Sequence, residues 1–351
     1  MRITANQVTF ARLILMPAVS ALLYGGETAL MVAVVLGTIV GCTDFVDGYL
    51  ARRQGPTVLG GLMDPIADKV FIALAFLPYV DQKWVPWAAI AALFLREFLV
   101  TALRSSFEQR QRQLPSTYLA KIKTWVQMCG LLVLMLGLVV KRNDILVALY
   151  ASGVVAALLG LVVFRLVTKR TWRGAWIFAG CFFGVSVMQA MVPKQHLPQV
   201  IVGIVLVYTW LTAFDYLLAA RGVIRSLHSF DAARLVGAIA LPLLAVSAIV
   251  HTDTLAWAPM VLCMSEFAVG GLDNLLAHHG AAPGALAWGG RVLLASLLLA
   301  LAHLLPAVAG PLVMSAALVS VAGASWLFIR NRRFYLEERL REQRPAPAAS
   351  A

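Results

Sequence analysis

Charge is scarce in this chain. Only 13% of its 351 residues are Asp, Glu, Lys or Arg, whereas 61% are hydrophobic. Soluble domains stay near half apolar or below, and they carry long polar loops that are few here, so an ordinary globular fold is excluded. Cysteine is scarce too: Cys42, Cys129, Cys181 and Cys263 stand far apart within apolar segments, with no C-x-x-C and no Cys/His spacing. That excludes a zinc module and a disulfide framework. His278 and His279 are adjacent rather than four apart, the wrong spacing for two helical histidines to share a metal. No small-residue cleavage site follows the first hydrophobic stretch, which therefore reads as a retained helix and not a signal peptide.

Acidic residues are the scarcer charge, 17 against 29 Lys and Arg, for a net charge of +12. Such an excess can attract nucleic acid, but here it sits in short loops and at the C-terminus, where topology sorting places it, and no nucleic-acid partner is expected. It also suits anionic membrane lipids or a phosphorylated substrate.

What the chain has in abundance is apolar runs of bilayer length. Twelve are predicted, at 8–25, 27–48, 64–80, 85–106, 124–141, 145–165, 174–193, 199–220, 234–251, 255–277, 287–308 and 311–330. The fold class is all-α, a polytopic integral membrane protein of about 12 transmembrane helices. An even number of spans returns both termini to one side. The loops holding Arg52 and Arg53, Arg104 to Lys123, Arg165 to Arg173 and Arg221 to Arg234 share that side with the tail from Arg330. The other side has little beyond Lys83, Lys141, Arg142 and Lys194. The bias predicts an inner (cytoplasmic) membrane protein with both termini in the cytoplasm.

Against this apolar background, "DFVDGYLARRQGPTVLGGLMDPIADK" (44–69) gathers four aspartates and two arginines. Asp44, Asp47, Gly48 and Ala51 fall at i, i+3, i+4 and i+7, one stripe of a helix. Gly60, Asp64 and Asp68, at i, i+4 and i+8, form a second stripe, and Gly55-Pro56 marks a turn between them. Two helices joined so tightly are expected to be antiparallel neighbours with converging carboxylates. Four such groups need positive partners; hard divalent cations take oxygen ligands and, in pairs, clamp phosphate oxygens. Gly48 and Ala51 leave room for a bulky substrate, and Arg52 suits a phosphate. These residue types point to phosphoryl chemistry at the membrane surface.

The same residues resemble the signature of the CDP-alcohol phosphatidyltransferase family, D-x2-D-G-x2-A-R, eight or nine residues, then G-x3-D-x3-D. Asp44, Asp47, Gly48, Ala51, Arg52, Gly60, Asp64 and Asp68 occupy its places, with one departure: seven residues separate Arg52 from Gly60. "NQVTFARL" (Asn6, Thr9, Arg12) resembles the family's first helix, and "YTWLTAFDYLLAARG" its last. "REFLVTALR" (96–104) and "KIKTWVQM" (121–128) are similar to its bacterial phosphatidylglycerophosphate synthase branch. The resemblance implies a family domain at 1–226 with a two-helix insertion at about 142–195. An additional four-helix region at 227–334 and a charged to Pro/Ala-rich cytoplasmic tail at 335–351 follow it.

Within 227–334, "DNLLAHHGAAP" resembles "DGYLARRQGPT", which either coincidence between Ala/Leu-rich helices or a decayed second copy, with Gly270 in place of Asp44 and His278 in place of Arg52, would explain. Such a copy would carry no second metal site.

The activity implied is transfer of a phosphatidyl group from CDP-diacylglycerol to an alcohol with release of CMP, a step of phospholipid biosynthesis. Asp44, Asp47, Asp64 and Asp68 would ligate two divalent ions, Mg2+ or Mn2+, with Asp68 as the base for the acceptor hydroxyl. Asp47, Gly48, Ala51, Arg52 and Gly60 would hold the CDP moiety. Glycerol 3-phosphate is the expected acceptor, with Arg104, Lys121, Lys123 and Arg221 as candidates for its phosphate. Inositol phosphate, serine or another alcohol, or a transporter or scaffold that inherited the fold, are the alternatives. Family members often dimerise, which makes a homodimer a candidate assembly. Arg96 and Glu97, deeper in the fourth span, read as an internal pair, and Glu266 has no partner identifiable from sequence.

Overall fold

The computed structural model describes residues 4–55, 57–108, 118–169, 171, 173–225, 229–278 and 285–335. Among them there is no strand. Twelve long helices follow one another. The first six are α1 (Ala5–Leu22), α2 (Glu27–Gln54), α3 (Val58–Asp81), α4 (Trp87–Glu108), α5 (Tyr118–Val139) and α6 (Asn143–Thr168). The rest are α7 (Arg173–Met191), α8 (Leu197–Arg225), α9 (Ser229–His251), α10 (Trp257–His278), α11 (Ala285–Leu304) and α12 (Ala309–Arg330), with a one-turn α13 (Arg332–Tyr335) behind them. Each expected apolar run falls on one of the twelve. Among the described residues α1, α2, α6, α7, α8 and α12 are long and apolar enough to cross a membrane, and α5, α9 and α11 carry shorter apolar stretches. The protein is an all-α polytopic membrane protein.

Local chemistry sets the boundaries around the aspartate stretch. Thr4 caps α1: its hydroxyl accepts from the Gln7 N–H at 3.3 Å, and the Gln7 side chain accepts from the Thr4 N–H at 3.0 Å. α2 ends at Gly55, whose φ of +90° is a conformation that side chains disfavour. α3 restarts after Thr57, whose hydroxyl accepts from the Gly60 N–H at 2.9 Å.

The short turn does not make α2 and α3 packed neighbours, which corrects the sequence expectation. α1 packs along both of them, while α2 and α3 hardly touch. The reason is electrostatic as well as steric: two carboxylate stripes facing one another would repel, and α1 inserts a buried cation between them.

Beyond this triad, α4 lies against α8, α9 and α10, and α5 lies against α2 and α8. α6 and α7 form a hairpin that meets the bundle at α5, where α7 touches it and the buried Tyr150 of α6 donates to Val133 O at 3.4 Å. Many large apolar side chains of α6, among them Leu159, Val163 and Leu166, are exposed, as a lipid-facing helix requires. One apolar core runs from Met16 and Phe76 through Phe94 to Leu262, Phe267 and Val292, so α9–α12 share a core with α3 and α4. Their pairing differs from that of α1–α4: α10 packs along α12, whereas α2 makes no comparable pairing with α4.

Glu266, which lacked a partner in sequence, is buried between two. It is ion-paired to Arg291 of α11 and accepts a 2.6 Å hydrogen bond from Ser320 of α12. A carboxylate in an apolar bundle needs both. Ser320→Ala is expected to cost about 1.5–3 kcal/mol, the range for a hydrogen bond to a charged group. Thermal unfolding in detergent measures it, and an unchanged midpoint would show that Arg291 alone suffices.

Candidate active site

Arg12 is the centre of the aspartate cluster. Its Nη1 lies 2.9 Å from Asp44 Oδ1 and 3.2 Å from Asp68 Oδ1, and its Nη2 is paired with Asp47 Oδ2. Its Nε donates to Thr43 Oγ1 at 3.4 Å. One turn earlier in α1, the Thr9 hydroxyl is 3.0 Å from Asp47 Oδ2 and 3.2 Å from Asp64 Oδ1. All four aspartates therefore meet, but through α1. Neither Thr9 nor Arg12 was assigned to the site from sequence. The signal was present: Thr9 and Arg12 stand three apart, two polar residues on one face of a mostly apolar helix.

The four carboxylates are not equivalent. The Arg12 side chain is 2% exposed and that of Asp47 6%, against 39% for Asp44 and 49% for Asp68. Asp47 is locked into the packing, whereas Asp44 and Asp68 present oxygen to the adjoining space. Four carboxylates meet a single guanidinium, so acidic groups outnumber the cation at the cluster. At a bilayer boundary such an excess calls for cations. As the side chains stand, no three acidic or histidine groups among the described residues are gathered to hold a metal ion, because the guanidinium takes the centre. The donor set itself fits a hard divalent ion, being carboxylate oxygen throughout with an uncompensated charge.

Gly60 has a packing role at this point. A Cβ there would stand 2.9 Å from both Asn6 Oδ1 and Thr57 Oγ1, so only glycine lets the start of α1 approach the start of α3. Thr57 donates to Asn6 Oδ1 at 3.2 Å and the Ala5 N–H to Gln54 Oε1 at 3.1 Å, which tie α1 to the turn. That attachment sets the height at which Arg12 meets the aspartates. Gly48 and Ala51 lie on the Asp44 stripe of α2, and the exposed Arg52 folds back so that its Nη1 would be 3.5 Å from a Cβ at Gly48. Arg53 stacks on Tyr49, 4.6 Å from the ring centroid.

Two cavities of different character open beside the cluster. One, of about 330 Å³, is lined by Arg12, Asp64, Asp68, Lys69, Arg96, Glu97, Arg104 and Lys123, with Tyr216 and Phe267 among its apolar walls. The other, of about 390 Å³, is an apolar groove between α2, α5 and α7, walled by Gly37, Gly41, Phe71, Met135, Phe178 and Phe182, with Asp44 and Asp68 at its end. Asp68 lines both.

The cation-rich cavity is organised by Glu97, which accepts from Lys123 Nζ at 2.5 Å and from Arg96 Nη1 at 3.2 Å. The internal pair expected of Arg96 and Glu97 forms. Arg96 is further fixed to α8, donating to Thr209 O at 3.2 Å and Thr212 Oγ1 at 3.1 Å. Lys69 and Arg104 extend the positive wall. Of the candidate acceptor ligands, Arg104 and Lys123 line this cavity, and Arg221 is exposed on α8 outside its lining. Lys121 belongs to α5, and its side chain lies outside the described ones. Lys69, adjacent to Asp68, was missed in sequence because the aspartate pattern drew the assignment.

Comparison with known proteins bears on the same region. The profile of the family "CDP-alcohol phosphatidyltransferase" matches residues 2–164, which include every aspartate of the cluster. The "CDP-diacylglycerol--glycerol-3-phosphate 3-phosphatidyltransferase" of Rickettsia typhi is 34% identical over 134 residues, 38% of this chain and 75% of the relative. The protein of the same name from Bacillus subtilis is 31% identical over 145 residues, 37% of this chain and 75% of that one. A "Probable phosphatidylglycerophosphate synthase" of Mycobacterium tuberculosis is 37% identical over 128 residues, 35% of this chain and 61% of its own. No solved structure matches the chain.

Proposed function

The chain belongs to the CDP-alcohol phosphatidyltransferase family, and on that premise we propose that it transfers a phosphatidyl group from CDP-diacylglycerol to glycerol 3-phosphate, giving phosphatidylglycerophosphate and CMP. One observation carries the reading. The carboxylate cluster stands where an apolar groove and a cation-lined cavity meet, and Asp68 borders both. A donor with two acyl tails needs the groove, and a phosphorylated acceptor needs the cations. The relatives from Rickettsia typhi and Bacillus subtilis are named for the same two substrates.

In this reading Asp44, Asp47, Asp64 and Asp68 hold two divalent ions, Mg2+ or Mn2+. When bound, these supply positive charge to the pyrophosphate and to the departing CMP. Gly48, Ala51 and Arg52 face the CDP moiety, where small side chains let the nucleotide reach the backbone and Arg52 meets a phosphate, while Asp47 and Gly60, packed against α1, hold that surface from behind. Arg104 and Lys123 orient the acceptor phosphate, with Lys121 and Arg221 drawing it in from the surface. Asp68 takes the proton of the acceptor hydroxyl. The acceptor oxygen bonds to the phosphorus bearing diacylglycerol, and the bond from that phosphorus to the CMP oxygen breaks, CMP keeping the electron pair.

The cluster-bearing ends of α1 to α5 coincide with the Arg- and Lys-rich loops, which supports a site and termini on the cytoplasmic side. Residues 1–226 form the catalytic membrane domain, with the α6–α7 hairpin as the insertion at about 142–195. Residues 227–334 are an addition to it, and 335–351 a cytoplasmic tail. Membrane lipids are the remaining partner.

The test follows CMP release by purified protein from CDP-diacylglycerol with Mg2+ or Mn2+ and a panel of acceptors. Release that depends on glycerol 3-phosphate is the expected result. Release with serine or inositol phosphate instead reassigns the acceptor, and no release with any alcohol ends the enzymatic reading.

A further inference from the structure

α10 lies outside the segment matched by the family profile, yet it forms part of the wall beside the aspartates. Phe267 of α10 is 1% exposed and lines the cation-rich cavity together with Asp68 and Lys69. Its ring centroid is 5.9 Å from Lys69 Nζ, within the range of a cation–π contact. The ring is held in place from behind: it stacks on Phe98 with centroids 4.2 Å apart and meets Phe94 edge-on at 5.9 Å.

Gly270, one turn further along α10, brings the helix against α4. A Cβ at that position would stand 2.8 Å from Thr101 Cγ2. Thr101 is the residue that holds Lys69, accepting from its Nζ at 2.7 Å while donating to Glu97 O at 2.7 Å. Lys69 is thus fixed by a hydroxyl on one side and a ring on the other. Neither carries a charge, so both set its position without forming an ion pair with it. Lys123 and Arg96, by contrast, are ion-paired to Glu97. Lys69 also follows Asp68 directly, and both line the same cavity.

We propose that α10 completes the acceptor site, with Phe267 and Gly270 as positioning residues that hold the Lys69 ammonium, directly and through Thr101, against the phosphate of the acceptor. The inference rests on the transferase reading and extends it to a part of the chain outside the family match. The additional C-terminal region is then a working wall of the site and not an appendage. The ligand class is a phosphomonoester dianion.

Steady-state kinetics on the full-length protein test it, with the KM for glycerol 3-phosphate, the KM for CDP-diacylglycerol and kcat read separately. Lys69→Met is expected to raise the KM for glycerol 3-phosphate roughly tenfold or more, the loss of a charge-assisted contact. Phe267→Leu keeps apolar bulk and loses the ring, and should raise the same KM about three-fold. Phe267→Tyr restores the ring and with it the wild-type KM. In all three the KM for CDP-diacylglycerol stays put. A Phe267→Leu enzyme with unchanged KM for glycerol 3-phosphate, or with kcat and both KM values moved together, overturns the proposal.

Calorimetric titration with glycerol 3-phosphate separates this inference from the reading beneath it. Binding that is weakened by Lys69→Met and Phe267→Leu, in a protein that releases no CMP, would remove the transferase and keep the site. CMP release from wild-type protein with only uncharged alcohols would overturn this proposal and reassign the acceptor, while the transferase would stand.

Discussion

Asp68→Asn lowers CMP release by about 10²–10⁴-fold, the range associated with loss of a positioned general base. The substitution is nearly isosteric, and the amide oxygen can still accept from Arg12, which lies 3.2 Å from the carboxylate. The fold should therefore survive, and thermal unfolding alongside the activity assay checks it. That separation makes the test informative. Asp68 is the acidic residue that lines both the apolar groove and the cation-rich cavity, so a hydroxyl and a lipid-linked phosphorus could meet at its oxygens. Asp47, only 6% exposed at its side chain and bonded to Thr9 and Arg12, is poorly placed for proton transfer. An Asp68→Asn protein that turns over at the wild-type rate would remove Asp68 from the role.

Arg12→Met is expected to be the most destabilising single change in the cluster. Arg12 is buried and pairs with Asp44, Asp47 and Asp68 at once. Removing one partner of a buried ion pair costs about 3–5 kcal/mol, because the charge left behind stays buried. Here the groups left behind are four carboxylates held within one turn of each other on α2 and α3. Mg2+ or Mn2+ should restore much of the loss, since a ligand that binds only the folded state stabilises it by mass action. The measurement is thermal unfolding of wild type and Arg12→Met, each in chelator and in millimolar divalent ion. A midpoint for Arg12→Met that matches wild type in chelator would refute the view that the guanidinium holds the cluster together. A midpoint insensitive to both ions would argue against divalent binding by these aspartates.

Much of this protein is legible from residue order. The twelve helices follow from apolar runs of bilayer length, because backbone polar groups in lipid must be satisfied within a helix. The two aspartate stripes follow from helical spacing, since i, i+3, i+4 and i+7 share a face whatever surrounds the helix. Gly55, with its φ of +90°, marks the turn that residue type predicts. The chemistry of the site, carboxylates in excess of cations beside a phosphate-seeking arginine, is likewise written in residue types alone.

What residue order could not decide is which helix lies next to which. Adjacency along the chain argued for α2 against α3, and instead α1 stands between them. Arg12 in sequence is one more arginine near a membrane boundary; only the packing of α1 makes it the counter-charge of three carboxylates. Lys123 reaches Glu97 from 26 residues away, and Ser320 reaches Glu266 from 54. Phe267 stands beside Lys69 because Gly270 lets α10 close on α4. Periodicity reports the face of a helix but carries no information about its neighbour. The neighbour is chosen by side-chain packing and by the need to pair buried charge, and both exist only once the bundle has formed.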